Sequence, residues 1–427
     1  MEPGYAILLL FAVAAFGMPI AFALIFVSLL MFMHIDSIRY MAMVQQMVGG
    51  VDSFIMLAVP MFVLAAKVMN AAQVTDRIFE FAGSLVRHIK GGLGHVNIAT
   101  SLIFAGMSGS AVADAAGLGE IEIKVMRASG YDAPFAAAIT AASSVVGPIF
   151  PPSVPMVIYG GLAGASIGKL FLGGAIPAVV MVLFLMLATY LIARRRGYPS
   201  EPRATMGELW TTFRRAFLAI LSPVIVLGAI VSGITTPTEA AAIAVFYSFI
   251  LGFLYGTVKV RDLPGLLVDT ALETGVLMMI VASVSLFSWT ITFLQIPQEA
   301  MDVIFGFTQS PAAITLMIVA VLMVLGLFMN PTPGLIVAAP FILPVAEEIG
   351  MDLVHLGVLM VLVLAVGLVT PPVGLCLYIV ARIARVDVWA VVRESLPFVV
   401  ALLIVSLLIA FVPEITLFLP NLPIFAN

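Results

Sequence analysis

The chain has few of the residues that a water-soluble protein needs at its surface. Only 10% of its 427 residues are charged, against roughly 25% in soluble globular domains, while 63% are hydrophobic and the mean hydropathy is +1.20. Too few polar side chains remain to cover a soluble core, so lipid must surround most of the chain. The composition therefore predicts an integral membrane protein.

Cysteine, histidine and basic runs are also scarce, and each scarcity excludes a class of protein. Cys376 is the single cysteine, which excludes an internal disulfide or a CxxC metal site. The four histidines are scattered without ligand spacing, so we expect no cofactor and no metal other than a coupling cation. The small net charge of −4 gives no indication of nucleic acid, and the absent GxxxxGK[ST] motif argues against ATP hydrolysis.

Long apolar runs are abundant instead. About 20 apolar residues cross a bilayer as a helix, and candidate spans lie near residues 5–33, 52–71, 170–194, 214–233, 238–257, 268–294, 311–329 and 395–413. The first run lacks the basic start of a cleavable signal, so we interpret it as a retained helix. Two further apolar regions, 92–165 and 318–385, are interrupted by Gly and Pro. We expect an all-α polytopic protein with about ten to twelve membrane segments.

Two polar connectors look amphipathic. Residues 73–90 and 198–216 are predicted to be helices that lie at the membrane interface, and a solvated connector is an equal alternative for the second. By the positive-inside rule, the Lys and Arg clusters place most connecting ends in the cytoplasm and the residues after Phe411 on the opposite side.

The sequence contains an internal repeat, in which features of the first half recur at a fixed distance along the second half. Without a gap, Gly and Pro positions match from Gly106 with Gly326 to Pro177 with Pro397. These matches are informative because Gly and Pro interrupt helices. One matched segment is basic in the first copy and acidic in the second, which indicates opposite orientations in the membrane. Two inverted repeats are typical of secondary transporters.

Each repeat contains two irregular stretches within apolar surroundings, at 106–114 and 147–153, and at 329–334 and 367–374. An unpaired carbonyl in hydrocarbon costs about 2–7 kcal/mol, so a ligand or another segment must satisfy these groups. A cation could bind the freed carbonyls and nearby hydroxyls, and helix N-termini would favour an anion.

The polar candidates in these stretches each have a second interpretation. The oxygen donors are Ser108, Ser110, Asn330, Thr332 and Thr370, and Asp114 is an acid deep in an apolar run. An intramembrane acid is a functional candidate. The serines could instead serve helix packing, and Asp114 could be an N-cap or a paired structural carboxylate. An intramembrane enzyme is disfavoured because Asp114 has no evident catalytic partner.

At these stretches the sequence resembles the large membrane subunit of tripartite ATP-independent periplasmic (TRAP) transporters, the dicarboxylate and sialic acid importers of the ion transporter superfamily. The resemblance covers essentially the full chain, and its most specific motifs are TPTEAAA and GPIFPPS. The stretches that carry it are 106–119, 143–160, 233–247 and 367–381.

The resemblance implies an elevator-type protein, in which a transport domain moves against a scaffold. Each inverted repeat would contain a re-entrant helical hairpin and a broken helix. The implied divisions are 1–91 for scaffold helices and an interfacial helix, 92–194 for the first half of the transport domain, 195–310 for an interfacial arm and further scaffold helices, and 311–427 for the second half.

The resemblance also implies two groups of sodium-binding residues and a substrate between the hairpin tips. One sodium group is Ser108, Ser110, Asp114, Gly147, Phe150 and Pro152, and the other is Asn330, Thr332, Gly334, Gly367, Thr370 and Pro372. The substrate residues are Ser108, Gly109, Ser110, Asn330, Pro331 and Thr332. No basic residue lies within the breaks, so helix N-termini or a residue such as Arg127 would have to meet a substrate carboxylate.

The implied function is sodium-coupled, binding-protein-dependent import of a small organic acid, of the sialic acid or C4-dicarboxylate class. The implied partners are a small four-helix membrane subunit and a periplasmic substrate-binding protein, in the bacterial inner membrane. A stand-alone sodium-coupled carboxylate carrier and a passive channel remain alternatives.

Overall fold

The structure is a computed structural model that describes residues 12–13, 17–33, 40–72 and 74–423. Within these residues it contains helices, turns and no strand. Seven of the described helices are long and apolar enough to cross a membrane: Phe54–Ala71, Ile167–Arg196, Met206–Val231, Pro237–Leu254, Val260–Phe293, Pro311–Phe328 and Val388–Phe411. The prediction of an all-α polytopic protein is confirmed. The first predicted span lies partly outside the described residues.

The described helices fall into two series. The first series is α1 (Ile20–Phe32), α2 (Tyr40–Val51), α3 (Ala58–Ala71), α4 (Thr75–Val86), α5 (Gly92–Ser108), α6 (Ala111–Ala128), α7 (Ala133–Ser144), α8 (Val154–Ala163) and α9 (Ile167–Arg196). The second is α10 (Met206–Val231), α11 (Pro237–Leu254), α12 (Leu263–Phe293), α13 (Ile296–Phe307), α14 (Pro311–Phe328), α15 (Pro331–Glu348), α16 (Leu353–Gly367), α17 (Leu375–Ala384), α18 (Val388–Phe411) and α19 (Glu414–Leu417). Short 3₁₀ turns precede α3 and α12.

The second series repeats the first from α4 onward. The helices α6 and α15 are equally long, and their first and last residues match at the same offset that relates Gly106 to Gly326. The packing is also reciprocal, because α6 packs against α17 while α15 packs against α8. We call α5–α6 hairpin 1 and α14–α15 hairpin 2. The second helix of each hairpin thus packs on the helix that follows the break of the other repeat, whereas the inverted orientation stays a prediction.

A group of helices borders these hairpins, and we call α1, α2, α3, α11 and α12 the scaffold helices. Here α3 packs along α11, and α12 packs along α1, α2 and α3. The TPTEAAA motif has a local structural role in this group. Thr236 and Glu239 form a reciprocal capping box at the start of α11, with Pro237 as its first residue. Thr238 donates its hydroxyl to Phe54 O at 3.0 Å, which joins α11 to the turn before α3.

The connectors differ from one another. Residues 75–86 form the predicted amphipathic helix α4, with Ile78 buried and Leu85 exposed. The prediction of a separate interfacial helix over 198–216 is wrong. Residues 198–205 are not helical, and α10 begins at Met206 and runs from its polar start into its apolar stretch as one helix. The domain divisions stay a prediction, although α5 begins at Gly92 and α14 at Pro311.

Candidate functional site

The tip of hairpin 1 is a sharp break between two helices. The helix α5 ends at Ser108, Gly109 follows with φ +61°, and Ser110 is extended with φ −140° before α6 begins. The left-handed angle at Gly109 is one that residues with a Cβ rarely adopt. A methyl group at this position would lie 3.0 Å from the backbone oxygen of Pro152. The tip therefore also contacts the turn between α7 and α8, to which Pro152 belongs.

Asp114 is buried one turn beyond this tip. Its Oδ1 accepts a hydrogen bond from the Ser108 hydroxyl, whereas its Oδ2 has no hydrogen-bond partner among the described residues. The N-cap of α6 is Ser110, whose hydroxyl accepts from Ala113 N–H at 3.4 Å, so the interpretation of Asp114 as an N-cap is wrong. A methyl group added at Gly147 would lie 2.6 Å from the free Oδ2. The glycine therefore lets the backbone of the facing turn approach the carboxylate closely.

The remaining residues of the first predicted sodium group lie around the same tip. They belong to residues 145–153, the turn between α7 and α8, which we call turn 1. The ring of Phe150 is 3.3 Å from where a methyl group at Gly106 would stand, and Pro152 faces Gly109 as described above. The structure thus brings the six residues of this group to one region, while sodium binding there stays a prediction.

Ser153 is a structural residue of turn 1 that the sequence reasoning missed. Its hydroxyl donates to Pro148 O and accepts from Met156 N–H at 3.3 Å, so it closes turn 1 and caps α8 at the same time. The signal was present in the sequence, because a serine before an apolar run, with Pro155 close to the helix start, is a typical N-terminal pattern.

The tip of hairpin 2 is built differently. The helix α14 ends at Phe328, Met329 and Asn330 are extended, and α15 begins at Pro331. Proline suits this first helical position because its missing N–H would have no intrahelical partner there. Asn330 is exposed, makes no side-chain capping hydrogen bond within the described residues, and lines the space beside the tip.

The second predicted sodium group consists of residues on hairpin 2 and residues on α16 and the turn that follows it. Gly367 packs directly against the backbone of Gly326, and a methyl group at Gly334 would lie 3.0 Å from the Leu364 side chain, so both glycines permit close helix packing. Thr370 donates its hydroxyl to Val366 O at 2.8 Å, within its own helical turn. Pro372 is exposed in residues 368–374, which we call turn 2. Sodium binding by this group stays a prediction.

The two hairpin tips share one cavity of about 310 Å³, which we call the tip cavity. All six predicted substrate residues line it: Ser108, Gly109, Ser110, Asn330, Pro331 and Thr332. Both turns reach it through Pro148 and Leu368. The N-termini of α6 and α15 both begin at this cavity, and helix N-termini carry partial positive charge. The cavity can therefore hold a small anion, as the sequence predicts for the substrate.

The scaffold helices close the tip cavity with an ion pair that the sequence reasoning missed. Lys67 of α3 and Glu273 of α12 both line the cavity, and Lys67 Nζ lies 2.8 Å from Glu273 Oε2. Arg127, the basic residue suggested from the sequence, instead donates to Ala384 O at 3.1 Å and is not a lining residue. A lysine within the apolar run 54–71 was the available signal, since ionisable residues in membrane spans are rare and functional by default.

The comparisons with known proteins decide the family. The family model described as "Tripartite ATP-independent periplasmic transporter, DctM component" matches residues 7–415 of this chain. The chain belongs to this TRAP transporter family. It is 45% identical over 407 residues to the sialic acid TRAP transporter large permease protein SiaM of Vibrio cholerae, with 95% of each chain covered. It is 40% identical over 420 residues to the sialic acid TRAP transporter permease protein SiaT of Haemophilus influenzae, with 98% of this chain and 68% of that protein covered.

A solved structure shares the fold of this TRAP component. The crystal structure of the YdaH transporter of Alcanivorax borkumensis, described as having an unusual topology, superposes with a TM-score of 0.65. The match covers 86% of this chain and 87% of that chain at 13% sequence identity, so it supports the fold alone. The relatives are named as transporter permeases, and the chain is accordingly a multi-pass transporter component and not an enzyme.

Proposed function

We propose that this chain is the large permease of a sodium-coupled, binding-protein-dependent importer of a small organic acid. The tip cavity carries the proposal, because it brings two helix breaks from opposite repeats, one at Gly109 and one at Asn330, to one site. Each tip presents a helix N-terminus, and broken helices at such a site are the arrangement by which secondary transporters hold ions and substrate.

Sodium coupling is supported by Asp114 Oδ2, which has no hydrogen-bond partner among the described residues. A buried carboxylate oxygen without a hydrogen-bond partner is costly, and a bound cation would remove this cost while the carboxylate stays charged. The Ser108 hydroxyl is bound to the other oxygen, and the turn 1 backbone at Gly147 lies against Oδ2. Hard cations prefer such oxygen ligands. We assign one sodium ion to this region, and a second, by the sequence repeat, to hairpin 2 and turn 2.

The proposed substrate is a small organic acid of the sialic acid or C4-dicarboxylate class. The supporting observations are the two helix N-termini at the tip cavity, its volume, and the names of the relatives SiaM and SiaT. The proposed transport step is an elevator movement of the hairpins and broken helices past the scaffold helices. By membership of a tripartite family, we further propose a small membrane subunit and a periplasmic binding protein as partners, in a bacterial inner membrane.

Reconstitution tests this proposal directly. The chain is purified with its small subunit and placed in liposomes, and uptake of radiolabelled N-acetylneuraminate is measured with and without binding protein and with and without an inward sodium gradient. We expect uptake only when both are present. Saturable sodium-dependent uptake without any binding protein would indicate a stand-alone carrier, and uptake indifferent to sodium would overturn the coupling.

A further inference from the structure

The Lys67–Glu273 ion pair joins two scaffold helices at the wall of the tip cavity. Lys67 lies within the candidate span Phe54–Ala71, and Glu273 lies within Val260–Phe293. Their side chains are 26% and 52% exposed, so both are accessible from the cavity. Among the described residues that line the cavity, these two carry the only charged side chains. A molecule between the two hairpin tips therefore meets one fixed cation and one fixed anion.

The contribution of this ion pair to the stability of the fold does not explain why two charged side chains lie in candidate membrane spans. A partly exposed ion pair contributes little to stability, because solvent screens it and its side chains lose rotamer freedom. The helices α3 and α12 pack on each other, and buried apolar side chains such as Val63 of α3 and Val281 of α12 belong to one core cluster. An ionisable group in a membrane span is disfavoured unless it is paired or used. The pair is therefore better explained by what enters the cavity.

The chemistry of the pair suits exchange with a carboxylic acid. Lys67 presents its ammonium to the carboxylate of Glu273, and a substrate carboxylate offers the same group. When the substrate carboxylate displaces Glu273 from Lys67, the ammonium of Lys67 still has one carboxylate partner. The N-termini of α6 and α15 face the same space, so a bound anion would have positive potential on both sides.

We propose that Lys67 recognises the carboxylate of the substrate in the tip cavity and that Glu273 holds this ammonium in place while the cavity is empty. The inference rests on the proposed function, because it assumes that the cavity receives an organic acid. It adds a specificity-determining residue on the scaffold, outside the hairpins and broken helices. Glu273 thus competes with the substrate for Lys67. We therefore expect removal of the Lys67 charge to weaken substrate binding and removal of the Glu273 charge to strengthen it.

The test is a direct binding measurement on the purified permease with its small subunit. N-acetylneuraminate and its neutral methyl ester are titrated calorimetrically in sodium buffer. We expect Lys67→Gln to weaken binding of the acid by about tenfold, the size of one lost charge-assisted hydrogen bond, and to leave binding of the ester unchanged. Lys67→Arg should retain most of the acid affinity. Glu273→Gln should tighten binding of the acid, because the competitor is removed.

The control pair lies outside the tip cavity. Arg215 Nη1 and Glu80 Oε2 are 3.3 Å apart, and both side chains are more than half exposed. Arg215→Gln and Glu80→Gln should leave both titrations unchanged. A merely structural pair would make Lys67→Gln and Glu273→Gln weaken binding of acid and ester alike, and that result would overturn the inference, as would a Lys67→Gln variant that binds the acid like the wild type. Size-exclusion profiles confirm that each variant is folded.

The failure of the inference can be told apart from the failure of the proposed function. A wild-type protein that binds the acid but shows no dependence on Lys67 refutes only the inference. When the wild type binds no N-acetylneuraminate, the titration is repeated with succinate, a C4-dicarboxylate. Binding of neither acid by the wild type would overturn the proposed substrate class, and the inference with it, whereas the reconstitution assay decides the rest of the proposed function.

Discussion

Gly147→Ala is the substitution that most sharply tests the proposed sodium site beside Asp114. The added methyl group would lie 2.6 Å from Asp114 Oδ2 and 3.2 Å from Ser144 O, both closer than ordinary van der Waals contact. Gly147 is not among the residues with positive φ, so the effect arises from contact and not from backbone strain. Either the carboxylate moves away or the backbone of turn 1 withdraws, and both changes enlarge the distance between the two oxygen sources.

The magnitude follows from the packing. An extra methyl group in a well-packed site costs about 1–3 kcal/mol. When this cost falls on the sodium-bound state, the sodium concentration for half-maximal binding rises by roughly 5- to 150-fold. Gly117→Ala is the matched control, because it also adds one methyl group, in α6, where the nearest neighbouring atom, Asn70 Oδ1, is 3.8 Å away.

The assay is thermal unfolding of the purified protein as a function of NaCl, with choline chloride at equal ionic strength as the reference. A ligand that binds only the folded state raises the melting temperature with its concentration. We expect the sodium-dependent rise in the wild type and in Gly117→Ala, and a shift of this rise to much higher concentration in Gly147→Ala. Identical sodium dependence in all three proteins would refute the assignment of sodium to the space between Asp114 and turn 1.

Further substitutions test the other parts of the site. Asp114→Asn removes the charge but keeps an acceptor for Ser108, so we expect a folded protein whose melting temperature no longer responds to sodium; a retained response would place the ion elsewhere. Ser108→Leu and Asn330→Leu should each abolish sodium-driven uptake in liposomes with folding intact, and near-normal uptake in both would mean that the tips are misassigned. Thr236→Ala breaks the capping box of α11 and should lower stability by about 1 kcal/mol, measured by thermal unfolding, without altering substrate affinity; a changed affinity with unchanged stability would contradict this structural role.

The helix breaks could be predicted from the sequence because their causes are local. Gly109 is needed where the chain turns with positive φ, and Pro331 suits the first residue of a helix. The repeat of Gly and Pro positions at a fixed offset then showed that the same local rules apply twice. The prediction of a separate helix over 198–216 was wrong for a related reason. Thr205 caps the helix at its start, and no local signal ends the helix between its polar start and its apolar stretch, so Met206–Val231 is one helix.

The role of a polar residue was harder to predict than the position of a break. From the sequence alone, Asp114 could be an N-cap, a paired carboxylate or an ion ligand. The structure removes the first interpretation, because Ser110 is the cap, and it shows that only one of the two carboxylate oxygens has a partner among the described residues. Hydrogen-bond satisfaction depends on every neighbouring segment. Asp114 Oδ1 accepts from Ser108 of its own hairpin, whereas turn 1, which lies against Oδ2 at Gly147, gives it no hydrogen bond.

The sequence by itself determined that the chain lies in a membrane, that it contains two related halves, and where each half is broken. These properties follow from composition and from the backbone preferences of Gly and Pro, which act over a few residues. Only the tertiary structure decided that both tips meet in one cavity and that Lys67 and Glu273, which lie far apart in sequence, close its wall. Such proximity arises from the packing of α3 on α12 and of each hairpin on the opposite repeat, and no local pattern encodes it.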